Sequence, residues 1–117
     1  MAPPLILGKL FRLLGADASI FPHHGGRFAY SAERCRDIAA ACRAPWLDLP
    51  ASLPVPAGGI SVERVPEIVR FYGPDVMLLV GGSLLQAGDA LVERTREFVA
   101  CVASSAVAAP SLQPITP

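Results

Sequence analysis

A chain of 117 residues that is 52% hydrophobic and only 17% charged can build one small domain, but it holds more apolar side chain than one small core hides, so a covering partner is expected. Lys plus Arg and Asp plus Glu are 10 each, and this zero balance argues against nucleic acid or an anionic membrane surface as partner. No apolar run approaches the roughly 18 residues of a membrane span. Lys9 and Arg12 interrupt the apolar N-terminal stretch and no basic leader precedes it, so export is not expected. Cys35, Cys42 and Cys101 are odd in number and lack metal-ligand spacing, which fits reduced thiols in a cytoplasmic protein.

In chain order, Pro3 and Pro4 suit a first helical turn, and Leu5, Ile6, Leu10, Phe11, Leu13 and Leu14 recur at helical spacing, predicting a helix over 3–14 that ends at Gly15. Residues 16–22 read as a short strand closed by Pro22. The loop His23-His24-Gly25-Gly26-Arg27-Phe28 follows at its carboxyl end. Two adjacent histidines rarely ligate one ion, and no Cys, Asp or Glu stands at ligand spacing, so no metal site is expected. His24 or His23 could instead hydrogen-bond a substrate oxygen or a phosphate, or be plain loop histidines. Arg27, flanked by glycine, is placed either to bind an anion with two parallel bonds or to form a surface salt bridge.

Ser31 caps a helix predicted to run to about Arg43, with Cys35, Ile38, Ala39 and Cys42 inward and Glu33, Arg34, Arg36 and Asp37 in water. Trp46, the single tryptophan, sits in the connection that follows and reads as packing. A second strand is predicted over 54–57, stopped by Gly58-Gly59, and a second serine-capped helix over 61–71, with Pro66 near its first turn. A third strand over 76–80 stops at Gly81-Gly82. An amphipathic helix is predicted from Asp89 to about Ala103, with Leu91, Val92, Thr95, Phe98, Val99 and Val102 on its apolar face. Residues 104–117, rich in Ala, Ser and Pro, read as a disordered tail.

Short apolar runs stopped by glycine read as parallel strands buried on both faces, and the glycines then lie where α/β proteins place their ligands. Two neighbouring backbones without side chains can turn several N–H groups onto one anion, aided by the positive end of a following helix. Gly58, Gly59, Gly81 and Gly82 are therefore a candidate phosphate site, although a diglycine can also serve a tight turn alone. Three strand–glycine–helix units in a row suggest part of a (β/α)8 barrel, with a small doubly wound sheet as the alternative.

Gly8-Lys9-Leu10-Phe11-Arg12-Leu13 with Gly15-Ala16-Asp17, the loop ending Gly26-Arg27-Phe28, Pro54-Val55-Pro56-Ala57-Gly58-Gly59-Ile60 and Leu79-Val80-Gly81-Gly82-Ser83-Leu84 resemble, in order and spacing, the C-terminal part of the ribulose bisphosphate carboxylase (RuBisCO) large subunit, and more closely its RuBisCO-like (form IV type) relatives. The similarity covers nearly all of residues 3–102. It implies an α/β fold: a partial (β/α)8 TIM barrel, helix 5 to helix 8 with parallel strands 6, 7 and 8, occupying residues 1–103. It assigns one phosphate of a sugar bisphosphate to Gly58 and Gly59 after strand 7 and the other to Gly81 and Gly82 after strand 8, and it puts Arg27 where the carboxylase carries a mobile-loop lysine. An arginine keeps the positive charge but not the lysine's compact ammonium, which makes carboxylation of the bisphosphate doubtful; with Ala57 for a family serine and Gly81-Gly82-Ser83-Leu84 for Gly-Gly-Gly-Thr, these departures favour a RuBisCO-like protein.

The resemblance also implies Mg2+-dependent enolisation by a lyase or isomerase acting on a phosphorylated sugar or sugar acid. The family's base lysine, carbamylated lysine and magnesium-binding carboxylates lie upstream of this region, and Lys9 is the chain's single lysine, so no complete catalytic set is expected here. The reading is a fragment, inactive alone, whose partners are the remaining barrel, an N-terminal domain and a second subunit of a homodimer. The rival is a non-catalytic phosphate-binding or interaction module. The Gly-Gly-Arg-Phe and Gly-Gly-Ser-Leu-Leu patterns look most like relatives in acidic sugar catabolism.

Overall fold

The computed structural model describes residues 2–25 and 30–108. Helix α1 is a π-helical stretch, Pro4–Leu10, that tightens into one α-helical turn, Phe11–Leu13, where a plain α-helix was expected. Strand β1 is Ala18–Pro22, helix α2 is Ala32–Arg43 and strand β2 is Leu53–Ala57. A 3₁₀ turn, Val62–Arg64, leads into helix α3, Val65–Tyr72. A short turn of helix, α4, is Gly82–Leu85, and the 3₁₀ turn Gly88–Ala90 opens helix α5, Leu91–Ala108.

Strands β1 and β2 pair in parallel, with Ile20 opposite Val55 and Pro22 opposite Ala57. The expected third strand is reduced to one bridge, Leu79 with Ala57. The cause is in β2. Met77 N–H donates to the Pro54 carbonyl at 3.1 Å and Leu79 N–H to the Pro56 carbonyl at 3.4 Å. A parallel ladder would return a bond from position 56 to the Met77 carbonyl, and Pro56 has no N–H to give. The 76–80 segment thus lies along β2 in an α/β, parallel arrangement while only half bonded to it.

The helices cover one face of this sheet. Phe21, Cys35, Ile38, Val65, Ile68 and Tyr72 are at most 1% exposed and form one core with Ala39, Val69 and Phe98. Val76, Leu78 and Val80 pack against it from the 76–80 segment. On the other face Ile20 is 58%, Met77 49% and Leu79 48% exposed, so the strands are not buried on both sides as expected. Alternate side chains of a strand point to opposite faces, and here one face has no second layer.

Several local choices follow from single residues. Ser31 Oγ accepts the Arg34 N–H at 3.1 Å and caps α2. Ser61 makes no such cap: the Arg64 N–H goes to the Ser61 carbonyl at 3.1 Å, and because Pro66 cannot donate to the Val62 carbonyl the turn closes through Val65 N–H in 3₁₀ form. Gly8 has no room for a Cβ against Ala41, so α1 lies directly on α2. Arg12 is 3% exposed and donates to the carbonyls of Ala44 at 2.7 Å, Ala41 at 3.0 Å, Pro50 at 3.2 Å and Leu49 at 3.3 Å. A cation at the carbonyl end of α2 answers both the unpaired acceptors and the negative end of the helix.

Helix α5 differs from expectation in its length and its buried face. It continues past Ala103 to Ala108, so the tail read from 104 onward begins in helix, and 109–117 lie outside the described residues. Phe98 is buried and Cys101 and Val102 are partly so, but Leu91 is 38% and Val92 and Val99 are 61% exposed. Helix α5 meets α3 along one narrow stripe, which leaves the rest of its apolar residues in the open. Among the described residues no helix is long and apolar enough to cross a membrane.

Candidate functional site

The chain turns sharply at the carboxyl end of β2 because Gly58 and Gly59 take φ of 87° and 72°, a region that costs other residues strain. The chain leaving the 76–80 segment passes through Gly81 and Gly82 into α4. These two loops face each other across a cavity of about 500 Å³, lined by Gly58, Gly59, Ile60 and Ser61 on one side and Gly81, Gly82, Ser83 and Gln86 on the other, with Ala57 and Leu79 at its base. The structure therefore brings all four predicted glycines to one pocket.

The glycines are there for different reasons. Gly58 answers its positive φ. Gly82 has a helical conformation, and a Cβ added at Gly81 or Gly82 would meet nothing within 4 Å, so packing of the chain on itself demands no glycine there. What the missing side chains leave is open access to the backbone from the pocket. Among the described residues, the N–H groups of Gly59, Ile60, Gly81 and Gly82 meet no acceptor from the protein. Unpaired amides lining one cleft suit an anion with several oxygens.

The predicted loop residues lie elsewhere. Arg27 is outside the described residues. His24 is not in the diglycine pocket: its ring lies 4.1 Å from that of His23 and 4.8 Å from that of Phe71, centroid to centroid. His23 is 1% exposed, and its Nδ1 is 2.8 Å from the Tyr72 hydroxyl. Burial, reinforced by His24 and Arg64, lowers the His23 pKa to about 4. Burial also pushes Tyr72 up, so its hydroxyl stays protonated and can donate to Nδ1. The Nε2 atoms of His23 and His24 are buried without a protein partner.

Arg64, passed over in the sequence, links the two regions. Its Nη1 donates to the Gly59 carbonyl at 3.0 Å and its Nη2 to the His24 carbonyl at 3.3 Å. Glu67 Oε1 holds it at 2.9 Å. Ser83 is the second omission: its hydroxyl donates to the Ile60 carbonyl at 2.7 Å and ties the two glycine loops together. Arg64 had no signal beyond following Gly58-Gly59 in the chain, and Ser83 entered only as part of the Gly81-Gly82-Ser83-Leu84 pattern, with no role given to its hydroxyl. Among the described residues, no group of three or more His, Cys, Asp or Glu could hold a metal ion.

Parallel strands whose carboxyl-end loops line one pocket define an α/β protein. No family model matches the chain. It is 64% identical over 104 residues to a ribulose bisphosphate carboxylase-like protein of Rhodopseudomonas palustris, covering 89% of this chain and 28% of that protein. It is 60% identical over 106 residues to a 5-methylthioribulose-1-phosphate isomerase of Rhodospirillum rubrum, covering 91% of this chain and 28% of the relative. A 2,3-diketo-5-methylthiopentyl-1-phosphate enolase of Geobacillus kaustophilus is 36% identical, with 87% of this chain and 25% of the enzyme covered. A crystal structure of the Rubisco-like protein from Rhodopseudomonas palustris superposes with a TM-score of 0.78 at 51% identity, over 88% of this chain and 27% of that one. The chain belongs with the RuBisCO-like proteins as a homologue of their C-terminal part, and it spans little more than a quarter of their length.

Proposed function

We propose that this chain supplies the phosphate-binding loops of a RuBisCO-like enzyme, as helix 5 to helix 8 and strands 6, 7 and 8 of its barrel within residues 1–103, and that it is inactive by itself. The single observation behind this reading is the shared pocket, in which Gly58 and Gly59 face Gly81 and Gly82 with amides free to donate. Backbone donors to a phosphate form short, charge-assisted bonds, and glycine lets the anion come within reach of several at once. The substrate class is a phosphorylated sugar. The isomerase and enolase relatives are named for methylthiopentose phosphates, which favours that chemistry over an acidic sugar.

The whole enzyme would abstract a proton beside a carbonyl, with Mg2+ supplying stabilisation of the resulting enediolate. The described residues do not fit such an ion, because they gather no set of three ligands. What this chain contributes is binding and orientation: the glycine amides hold the phosphate end and leave the reacting carbons over the strand termini. Proton transfer would fall to groups of the remaining barrel, with an N-terminal domain and a second subunit completing the enzyme. The uncovered face bearing Ile20, Met77 and Leu79 also favours a second reading, an interaction module that binds phosphate without chemistry.

Inorganic phosphate tests the site directly. It should raise the melting temperature of the chain in a concentration-dependent way, by about 2.7 kcal/mol of stabilisation at a hundred times Kd. In Gly81→Ala/Gly82→Ala the rise should vanish. Absence of any rise with the native sequence would remove the anion site.

A further inference from the structure

The glycine pocket has a second layer that decides where its amides point. The Gly59 carbonyl is held by Arg64 Nη1 at 3.0 Å, and the Ile60 carbonyl by the Ser83 hydroxyl at 2.7 Å. A trans peptide carries its carbonyl and its N–H on opposite edges. Tying the Gly59 carbonyl to Arg64, which is not part of the pocket wall, turns the N–H of Ile60 to the other edge, and Ile60 is part of that wall. The guanidinium is itself fixed, by Glu67 Oε1 at 2.9 and 3.2 Å and by the His24 carbonyl at 3.3 Å. Its charge is therefore engaged with protein groups behind the loop.

We propose that Arg64 and Ser83 are positioning residues of the anion cradle: Arg64 aims the Ile60 amide at the bound phosphate, and Ser83 fixes the spacing between the two glycine loops. The proposal rests on the phosphate reading above. Because the same guanidinium grips the His24 carbonyl, the cradle is coupled to the loop after β1. A lysine could keep the charge at 64 but could not serve both carbonyls and Glu67 from one fork.

The test is hydrogen exchange at the Ile60 amide of the 117-residue chain, with and without inorganic phosphate, alongside phosphate affinity by equilibrium dialysis. Phosphate should slow exchange at Ile60 in the native chain. In Arg64→Lys that protection should be lost and affinity should fall about tenfold, the scale of one charge-assisted hydrogen bond. Ser83→Ala, at an exposed position that does not threaten the fold, should weaken binding several-fold, and Ser83→Thr should restore it. Native affinity in both Arg64→Lys and Ser83→Ala, or an Ile60 amide indifferent to phosphate while the native chain binds it, would overturn the inference and leave the phosphate reading standing. A native chain that binds no phosphate would overturn both.

Discussion

The two faces of the sheet are built from neighbouring residues of the same strands, yet they meet different surroundings. On the helix side Phe21 is 1% exposed and Ile68 is fully buried, and His23 Nδ1 is paired with the Tyr72 hydroxyl. One residue away in sequence, Ile20 is 58% exposed, and Met77 and Leu79 share its face. The contrast shows where the excess apolar composition of the chain is placed. The helices close one side, and the other is left without a second layer.

The comparison can be broken most forcefully from the covered side. Ile68→Ala should cost about 3 kcal/mol in urea unfolding, since a fully buried branched side chain would leave a cavity bounded by Phe21, Ile38 and Tyr72 neighbours that cannot all relax. A loss below about 1 kcal/mol would mean the helix side is as loosely filled as the open one.

His23 sharpens the same point through pH. Its pKa, 6.5 when unfolded, falls to about 4 in the folded chain, chiefly because burial disfavours the charged imidazolium and secondarily because His24 and Arg64 repel it. The unfolded state therefore takes up the proton first on acidification. The stability linked to His23 is complete above pH 6.5 and is lost progressively as pH falls toward about 4, on the order of 3 kcal/mol in total. Stability measured between pH 7 and pH 4 should show this fall, and His23→Asn should flatten it.

The smallest effect on folding is expected on the open face. Leu79→Ser should change stability by no more than about 0.5 kcal/mol, as exposed substitutions do. It should act on association instead. The native chain should self-associate through its uncovered apolar surface, and Leu79→Ser with Met77→Ser should shift sedimentation toward the monomer. A native chain that sediments as a monomer and melts cooperatively would show that the open face needs no cover.

Local sequence patterns carried much of this architecture. The capped helix from Ser31, with Cys35, Ile38, Ala39 and Cys42 inward, follows from a 3.6-residue period and one side-chain acceptor. The diglycine turns were equally legible, because glycine after a short apolar run marks a strand end, and two such turns on successive strand ends read as one shared phosphate site. The third strand was misjudged because an apolar run says nothing of its neighbour's donors, and Pro56 removes one of them. The inward face of α5 was misjudged for a related reason: periodicity identifies a stripe, whereas burial depends on how many elements reach it.

Sequence alone determined the order of the helices and of the first two strands, the Ser31 cap, the glycines and the family to which they point, since each rests on interactions within a few residues or on a pattern of identities. Tertiary structure alone decided that Arg12 is buried beneath α2's last carbonyls, that His23 is neutral against Tyr72, and that Arg64 and Ser83 brace the two glycine loops. Those arrangements join residues tens of positions apart, and their energies come from burial and from carbonyl directions that exist only once the chain has packed.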